Sequence, residues 1–249
     1  MSARRRMKTV SSWWYQLQGA FDDSSRYEDL NVVDIDMSCP PEFDPLGNRR
    51  INLAYISIGE AEDYRDYWPT LTKGLIIHEN PAWPGNYAVK FWKPEWGAVV
   101  CGLVKKAQER GFDGVYLDKC DVIWDVADDD DDLRDLTEQM VRLISLVREV
   151  AGPDFVVVMQ NAERLLTDKT VVSAIDAVAV EDLIYGSKKT GQRNDAAETA
   201  ERIANLDKVG FPILSVEYLN DIRLRLDAID RTPGDYVILF SREDRELSR

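Results

Sequence analysis

The chain has 249 residues, close to the roughly 250 of a single (β/α)8 barrel and also enough for two small domains. Apolar residues make up 45% and charged ones 31%, which supplies a large core under a solvated surface and excludes disorder as the main state. The net charge of −14 repels a phosphate backbone, so nucleic acid and anionic membranes are disfavoured as partners and a cationic one is favoured.

Residues 1–10 carry Arg4, Arg5, Arg6 and Lys8 like the start of a signal peptide, but the apolar stretch that should follow is replaced by Ser11-Ser12-Trp13-Trp14-Tyr15. No signal peptide is expected, and residues 1–12 read as a flexible basic segment ahead of one domain over 13–249. No run approaches 18 apolar residues, so no membrane span is expected.

Eight short β-rich runs follow, at 14–17, 32–36, 53–59, 87–92, 114–118, 155–161, 177–181 and 213–217, most of them ending in polar residues. Helical patterns lie between them. Leu133, Leu136, Met140, Leu143, Ile144 and Val147 recur at three- and four-residue spacing and describe one apolar face, stopped by Gly152-Pro153. Two more helices are predicted over about 95–110, closed by Gly111, and about 195–209, closed by Gly210. The acidic run 128–132 is predicted to cap and precede a helix in solvent. Alternating strands and helices imply parallel pairing through right-handed crossovers, hence an α/β chain forming a TIM-like (β/α)8 barrel. A ninth run, 236–240, is either an extra C-terminal strand or a sign that one of the eight is not a barrel strand. The run 75–77 is a further short candidate.

In such architectures ligands bind at the carboxyl ends of the strands, and here those ends are acidic. Asp36, Glu60, Asp118, Glu181 and Glu217 each follow an apolar run, joined by Asn161 and Asp121. Gathering carboxylates at a barrel mouth costs stability through repulsion and desolvation, an inconsistency of the kind found at functional sites. Paired carboxyl groups suit glycoside hydrolysis, in which one protonates the leaving oxygen and the other attacks the anomeric carbon or activates water. Aromatic residues near strand ends and in loops, among them Tyr64, Trp68, Trp83 and Trp124, could face sugar rings, although packing is the ordinary role of any one such ring. Other designs lack parts. His78 is the single histidine, which leaves no Ser-His-Asp triad and no multi-histidine metal site, and Cys39, Cys101 and Cys120 read as reduced structural thiols. No phosphate-cradling glycine motif and no HExxH is present, so no cofactor and no metal are expected.

The segments Trp14-Tyr15-Gln16-Leu17, Tyr55-Ile56-Ser57-Ile58-Gly59-Glu60-Ala61-Glu62, Gly111-Phe112-Asp113-Gly114-Val115-Tyr116-Leu117-Asp118 and Val180-Glu181-Asp182 resemble glycoside hydrolase family 114, in the family's order over most of the chain. The resemblance implies a TIM-like barrel with endo-α-1,4-polygalactosaminidase activity, acting on a cationic amino-sugar polysaccharide outside the cell or in its envelope. It selects Asp118 and Glu181 as the catalytic acids from the five candidates. It also implies that Tyr15, Gln16, Asp36, Tyr55, Ser57, Asn161, Glu217 and Tyr218 line the pocket, to which the strand-end argument adds Glu60 and Asp121. Asp118 is expected to be the nucleophile and Glu181 the acid/base of a retaining pair about 5 Å apart, whereas about 8 Å would mean inversion. The alternatives are a barrel that binds carbohydrate without turnover and a hydrolase of another glycan.

Overall fold

Strand periodicity of two builds the centre of the molecule, because alternate side chains of a parallel strand face the barrel axis and the others face the helices. The computed structural model describes residues 2–22 and 26–247. Its strands in chain order are β1 (Trp13–Gln16), β2 (Leu30–Asp34), β3 (Ile51–Ser57), β4 (Glu60–Glu62), β5 (Ile76–Glu79), β6 (Asn86–Val89), β7 (Gly114–Asp118), β8 (Val156–Gln160), β9 (Ala177–Glu181), β10 (Ile213–Tyr218) and β11 (Val237–Ser241). Eight of them pair in parallel in the order β1-β2-β3-β7-β8-β9-β10-β11. The barrel nearly closes: the Trp13 indole N–H on β1 donates to the Val237 carbonyl on β11 at 3.0 Å, and Leu17 N donates to Leu247 O at 2.9 Å.

The run at 236–240 thus becomes the eighth barrel strand. The run at 87–92 gives β6, which lies outside the barrel in a three-stranded antiparallel sheet with β4 and β5, the latter drawn from the short 75–77 candidate. This sheet hangs on the end of β3, where the buried Trp96 indole donates to the Ile58 carbonyl at 2.7 Å.

The helices are α1 (Ala3–Arg6), α2 (Pro94–Glu109), α3 (Ile123–Val126), α4 (Asp130–Ala151), α5 (Lys169–Ala174), α6 (Ala196–Leu206) and α7 (Ile222–Arg231). Pro94 sits in the first turn of α2, where its missing N–H costs nothing. The acidic run starts α4 as expected: the Asp129 carboxylate accepts from Asp132 N at 2.9 Å. Buried α4 residues Leu136, Met140, Leu143, Ile144 and Val147 pack into the layer between barrel and helices, so truncating one such as Ile144 to alanine costs about 2–5 kcal/mol. A second core fills the barrel itself, with Trp13, Leu30, Ile51, Tyr116, Val158, Ala177, Leu214 and Leu239 among its members.

The basic amino-terminal segment departs from the expectation of flexibility. Ala3 and Met7 are buried against the barrel interior, and Arg4 Nε meets Asp176 Oδ1 at 2.6 Å while its Nη1 donates to Pro153 O at 2.7 Å. Asp176 also accepts from Arg148 Nη2 at 2.6 Å and Val157 N at 2.9 Å. The segment plugs the amino-terminal floor of the barrel because Met7 supplies apolar volume there and the arginines find acceptors in the loops around it.

Candidate active site

Inward alternation carries specific residues to the open end. On β7 the series Gly114, Tyr116, Asp118 ends on a carboxylate, and on β9 Ala177, Ala179, Glu181 does the same. Tyr15, Asp34, Tyr55 and Tyr218 reach the same level from β1, β2, β3 and β10. These tips and the turns beyond them line a cavity of about 700 Å³, well inside the usual range for ligand sites.

Asp118 accepts from the Tyr55 hydroxyl at 2.6 Å and from Lys119 N at 2.7 Å. Burial pushes its carboxyl above the ordinary aspartate range, and the Tyr55 bond and the Lys119 charge oppose that rise without cancelling it. Lys119 Nζ lies 3.1 Å from Glu60 Oε1, and the lysine takes a left-handed φ of 61° to turn the chain there. Gly59 makes this turn possible: a Cβ on it would stand 2.2 Å from the Lys119 carbonyl and 2.5 Å from Val122 Cγ1. Gly114 plays a similar part at the start of β7, since its Cβ would lie 2.4 Å from the Val156 carbonyl. Gly59 and Gly114 thus set how closely β3, β7 and β8 and their turns approach.

Glu181 accepts a short hydrogen bond from the Tyr218 hydroxyl, and its own N–H donates to Asn161 Oδ1 at 3.1 Å. Burial first, and then the negative charge of Asp118, push its carboxyl up to about 8. Asp182 adds to that rise while Arg245 counters it from a distance, its guanidinium 4.3 Å over the Tyr218 ring and 2.5 Å from Asp182 Oδ2. At Asp118 the Lys119 cation thus outweighs the Glu60 carboxylate, whereas at Glu181 the carboxylates of Asp118 and Asp182 outweigh the Arg245 cation. Environments that separate two carboxyl groups in this way can hold one charged and the other protonated near neutral pH. The strand ends themselves are strained: Lys119 after β7, Asn161 and Ala162 after β8, and Asp182 after β9 all have positive φ, at about 1–3 kcal/mol each.

Of the residues expected at the site, Tyr15, Asp36, Tyr55, Glu60, Asp118, Asp121, Asn161, Glu181 and Tyr218 line this cavity. Three do not. Gln16 faces away from the barrel axis, its amide bonding Gln18 O at 2.8 Å and Ala20 O at 3.2 Å. Glu217 is likewise on the outward face of β10, where it accepts from Ile184 N at 2.8 Å and Tyr185 N at 3.1 Å and secures the loop after β9. Ser57 is buried, and its hydroxyl accepts from Glu60 N at 3.2 Å. Asp36 reaches the cavity with its carboxylate engaged by Lys106 at 2.6 Å and Arg65 at 2.9 Å. Burial raises its pKa, but these two cations outweigh that and hold it below the ordinary range.

Among the other lining residues, Arg65, Lys119 and Arg245 carried no sequence signal. Arg65 is buried and bridges Asp34 at 2.7 Å and Glu62 at 2.7 Å, pinning the turn after β4 to the end of β2. Tyr64 and Trp83, both exposed, arrive from the antiparallel sheet's loops, and Arg245 and Leu247 from the carboxyl-terminal tail. Asp34 could have been found, since it follows Leu30 and Val32 on the inward face of β2. Among the described residues no three His, Cys, Asp or Glu side chains converge in a way that could hold a metal ion, and no helix is long and apolar enough to cross a membrane.

The profile of glycoside-hydrolase family GH114 matches residues 2–241. The chain belongs to this family. Among relatives of the GH114 chain is the uncharacterized protein MJ1477 of Methanocaldococcus jannaschii, 34% identical with 94% of this chain and 76% of that one covered. An uncharacterized protein of Thermotoga maritima is 33% identical over 89% of this chain and 75% of its own length. In fold, this GH114 chain is similar to Aspergillus fumigatus Ega3, solved in complex with galactosamine, with a TM-score of 0.76 at 16% identity over 96% of this chain and 93% of that one. The glycoside hydrolase domain of PelA from Pseudomonas aeruginosa gives a TM-score of 0.76 at 17% identity, covering 96% and 97%. The GH114 chain is thus a glycoside hydrolase by family, built on the same nearly closed barrel.

Proposed function

We propose that this GH114 protein is a retaining endo-glycosidase that cleaves an α-1,4-linked, galactosamine-containing polysaccharide, with Asp118 as nucleophile and Glu181 as acid/base. The observation that carries this reading is the meeting of Asp118 and Glu181 in one cavity in contrasting electrostatic surroundings. Protonated Glu181 gives its proton to the glycosidic oxygen while an Asp118 oxygen attacks the anomeric carbon, so that the leaving chain departs with a hydroxyl and a glycosyl ester of Asp118 forms. Glu181, now charged, takes a proton from water; the resulting nucleophile attacks the same carbon and releases Asp118 as carboxylate. Tyr55 holds the attacking carboxylate, and Tyr218 holds the acid.

Substrate choice follows from charge. The cavity contains Asp34, Asp36, Glu60, Glu62 and Asp121 besides the central pair, and an acidic cleft concentrates a polymer with free amines. Tyr15, Tyr55, Asp36, Glu60, Asp121, Asn161 and Tyr218 are the substrate-contacting residues in this reading, and the galactosamine complex of Ega3 supports the sugar class.

The test is product analysis by mass spectrometry after incubating wild type, Asp118→Asn and Glu181→Gln with partially deacetylated galactosaminogalactan. Shortened oligosaccharides from wild type alone are expected. A folded wild type that binds the polymer and does not shorten it would replace this reading with a carbohydrate-binding barrel.

A further inference from the structure

A second cavity, of about 320 Å³, opens beside the first and shares Asp121, Asn161 and Glu181 with it as a common wall. Its far side is built by Trp124 on α3, by Arg164 on the turn after β8, and by Glu198 and Glu201 on α6. Asp118 lines the central cavity but not this one. We infer that this groove is the leaving-group side of the cleft and takes the next amino-sugar unit of the chain, stacked on Trp124 with its ammonium directed to Glu198 or Asp121. The inference rests on the function proposed above and adds a direction to it.

Direction comes from the chemistry of the two acids. The acid/base must touch the glycosidic oxygen, so the departing sugar lies on its side, while the nucleophile works from the opposite face of the ring being cleaved. Glu181 stands where the two cavities meet. The deeper one, with Asp118 and Tyr55, therefore holds the sugar whose anomeric carbon reacts, and the groove beyond Glu181 receives the sugar that leaves.

The groove's own composition fits an amino sugar. Trp124 offers a broad ring of the kind that packs on the apolar face of a pyranose, and Arg164 lies 5.8 Å from the centroid of that ring, paired with Glu201 at 3.4 Å, to form the outer rim. Glu163 is neutralised by Arg202 at 2.6 Å. Among the described residues Glu198 makes no ion pair, and Asp121 has a buried Oδ1 with no hydrogen-bond partner. The groove therefore presents one aromatic platform with unmatched negative charge at its rim and another acceptor at its inner wall, which is what a sugar with a free ammonium would satisfy.

The experiment compares wild type, Trp124→Ala and Glu198→Gln on two substrates: a defined α-1,4-galactosamine oligosaccharide, and an aryl α-galactosaminide whose leaving group carries no sugar. Trp124→Ala is expected to lower kcat/KM on the oligosaccharide about tenfold more than on the aryl glycoside, and Glu198→Gln, on an exposed helix surface, to do the same about threefold with unchanged folding. Equal losses on both substrates, or no loss on either, overturn the inference. Should wild type cleave neither substrate, the function proposed above fails on its own, and the groove is then judged by oligosaccharide binding to the Glu181→Gln protein. A Kd weakened about tenfold by Trp124→Ala, with the Kd for free galactosamine moving far less, sustains the groove; an unaltered oligosaccharide Kd, or no binding, removes it.

Discussion

On the β2–β3–β7 side of the barrel mouth carboxylates are matched by cations, whereas on the β9–β10 side Glu181 faces other carboxylates. Arg65 gathers Asp34, Asp36 and Glu62 within 2.9 Å, and Lys119 holds Glu60 at 3.1 Å beside Asp118. Across the mouth, Arg245 is engaged by Asp182 and leaves Glu181 with a tyrosine hydroxyl as its hydrogen-bond donor. The same residue class thus meets two electrostatic settings on one rim. Both acids are raised first by burial, and the charges around each group, rather than its identity as Asp or Glu, set the two apart.

The largest effect is expected from Asp118→Asn, which keeps an acceptor for Tyr55 but removes the proposed nucleophile. Steady-state kcat on the polysaccharide should fall about 10⁴-fold, or about 5.4 kcal/mol of activation free energy. A loss below about 100-fold would move the nucleophile to another acid and dissolve the comparison.

Next in size is a contrast in stability measured by urea denaturation. Arg65→Met leaves Asp34 and Glu62 buried without their cation and should cost about 3–5 kcal/mol. Arg245→Met, whose side chain is a quarter exposed, should cost about 1 kcal/mol or less. Equal costs would mean that the two sides are not differently built.

Two smaller predictions concern the pH dependence of kcat/KM. The proposed mechanism needs charged Asp118 and protonated Glu181, so activity should be lost in acid as Asp118 gains a proton and lost as pH rises through about 8, where Glu181 gives one up. Lys119→Met removes a charge that favours the ionised aspartate, so the acid limb should move up by about one pH unit. Tyr218→Phe removes a donor that favours ionised Glu181, so the alkaline limb should move up by about half a unit. A Lys119→Met profile shifted only at its alkaline limb would reverse the roles of the two sides.

Much of this rim was legible from local pattern. β7 and β9 run from the residues expected to the residues expected, because an apolar run ending in a carboxylate is a one-dimensional signal and the period of two carries that residue inward. The same rule explains two misplacements. Gln16 is one position past the inward Tyr15 and Glu217 one position before the inward Tyr218, and a single step flips a side chain to the other face. Their polar atoms hold loops instead of lining the cavity. Nothing local marks Arg65, Lys119 or Arg245, because each gains its meaning from a carboxylate that only folding brings near.

The sequence by itself determined the alternation of strands and helices, the caps of its long helix and the acids at its strand ends, since these depend on spacing along the chain and on residue type. Tertiary structure decided which runs became staves. The apolar run at 87–92 went to the antiparallel sheet, and 237–241 closed the barrel against Trp13. It also turned the basic amino terminus into a floor and assigned each carboxylate its partner, because pairing, burial and field depend on distances through space that no window of sequence contains.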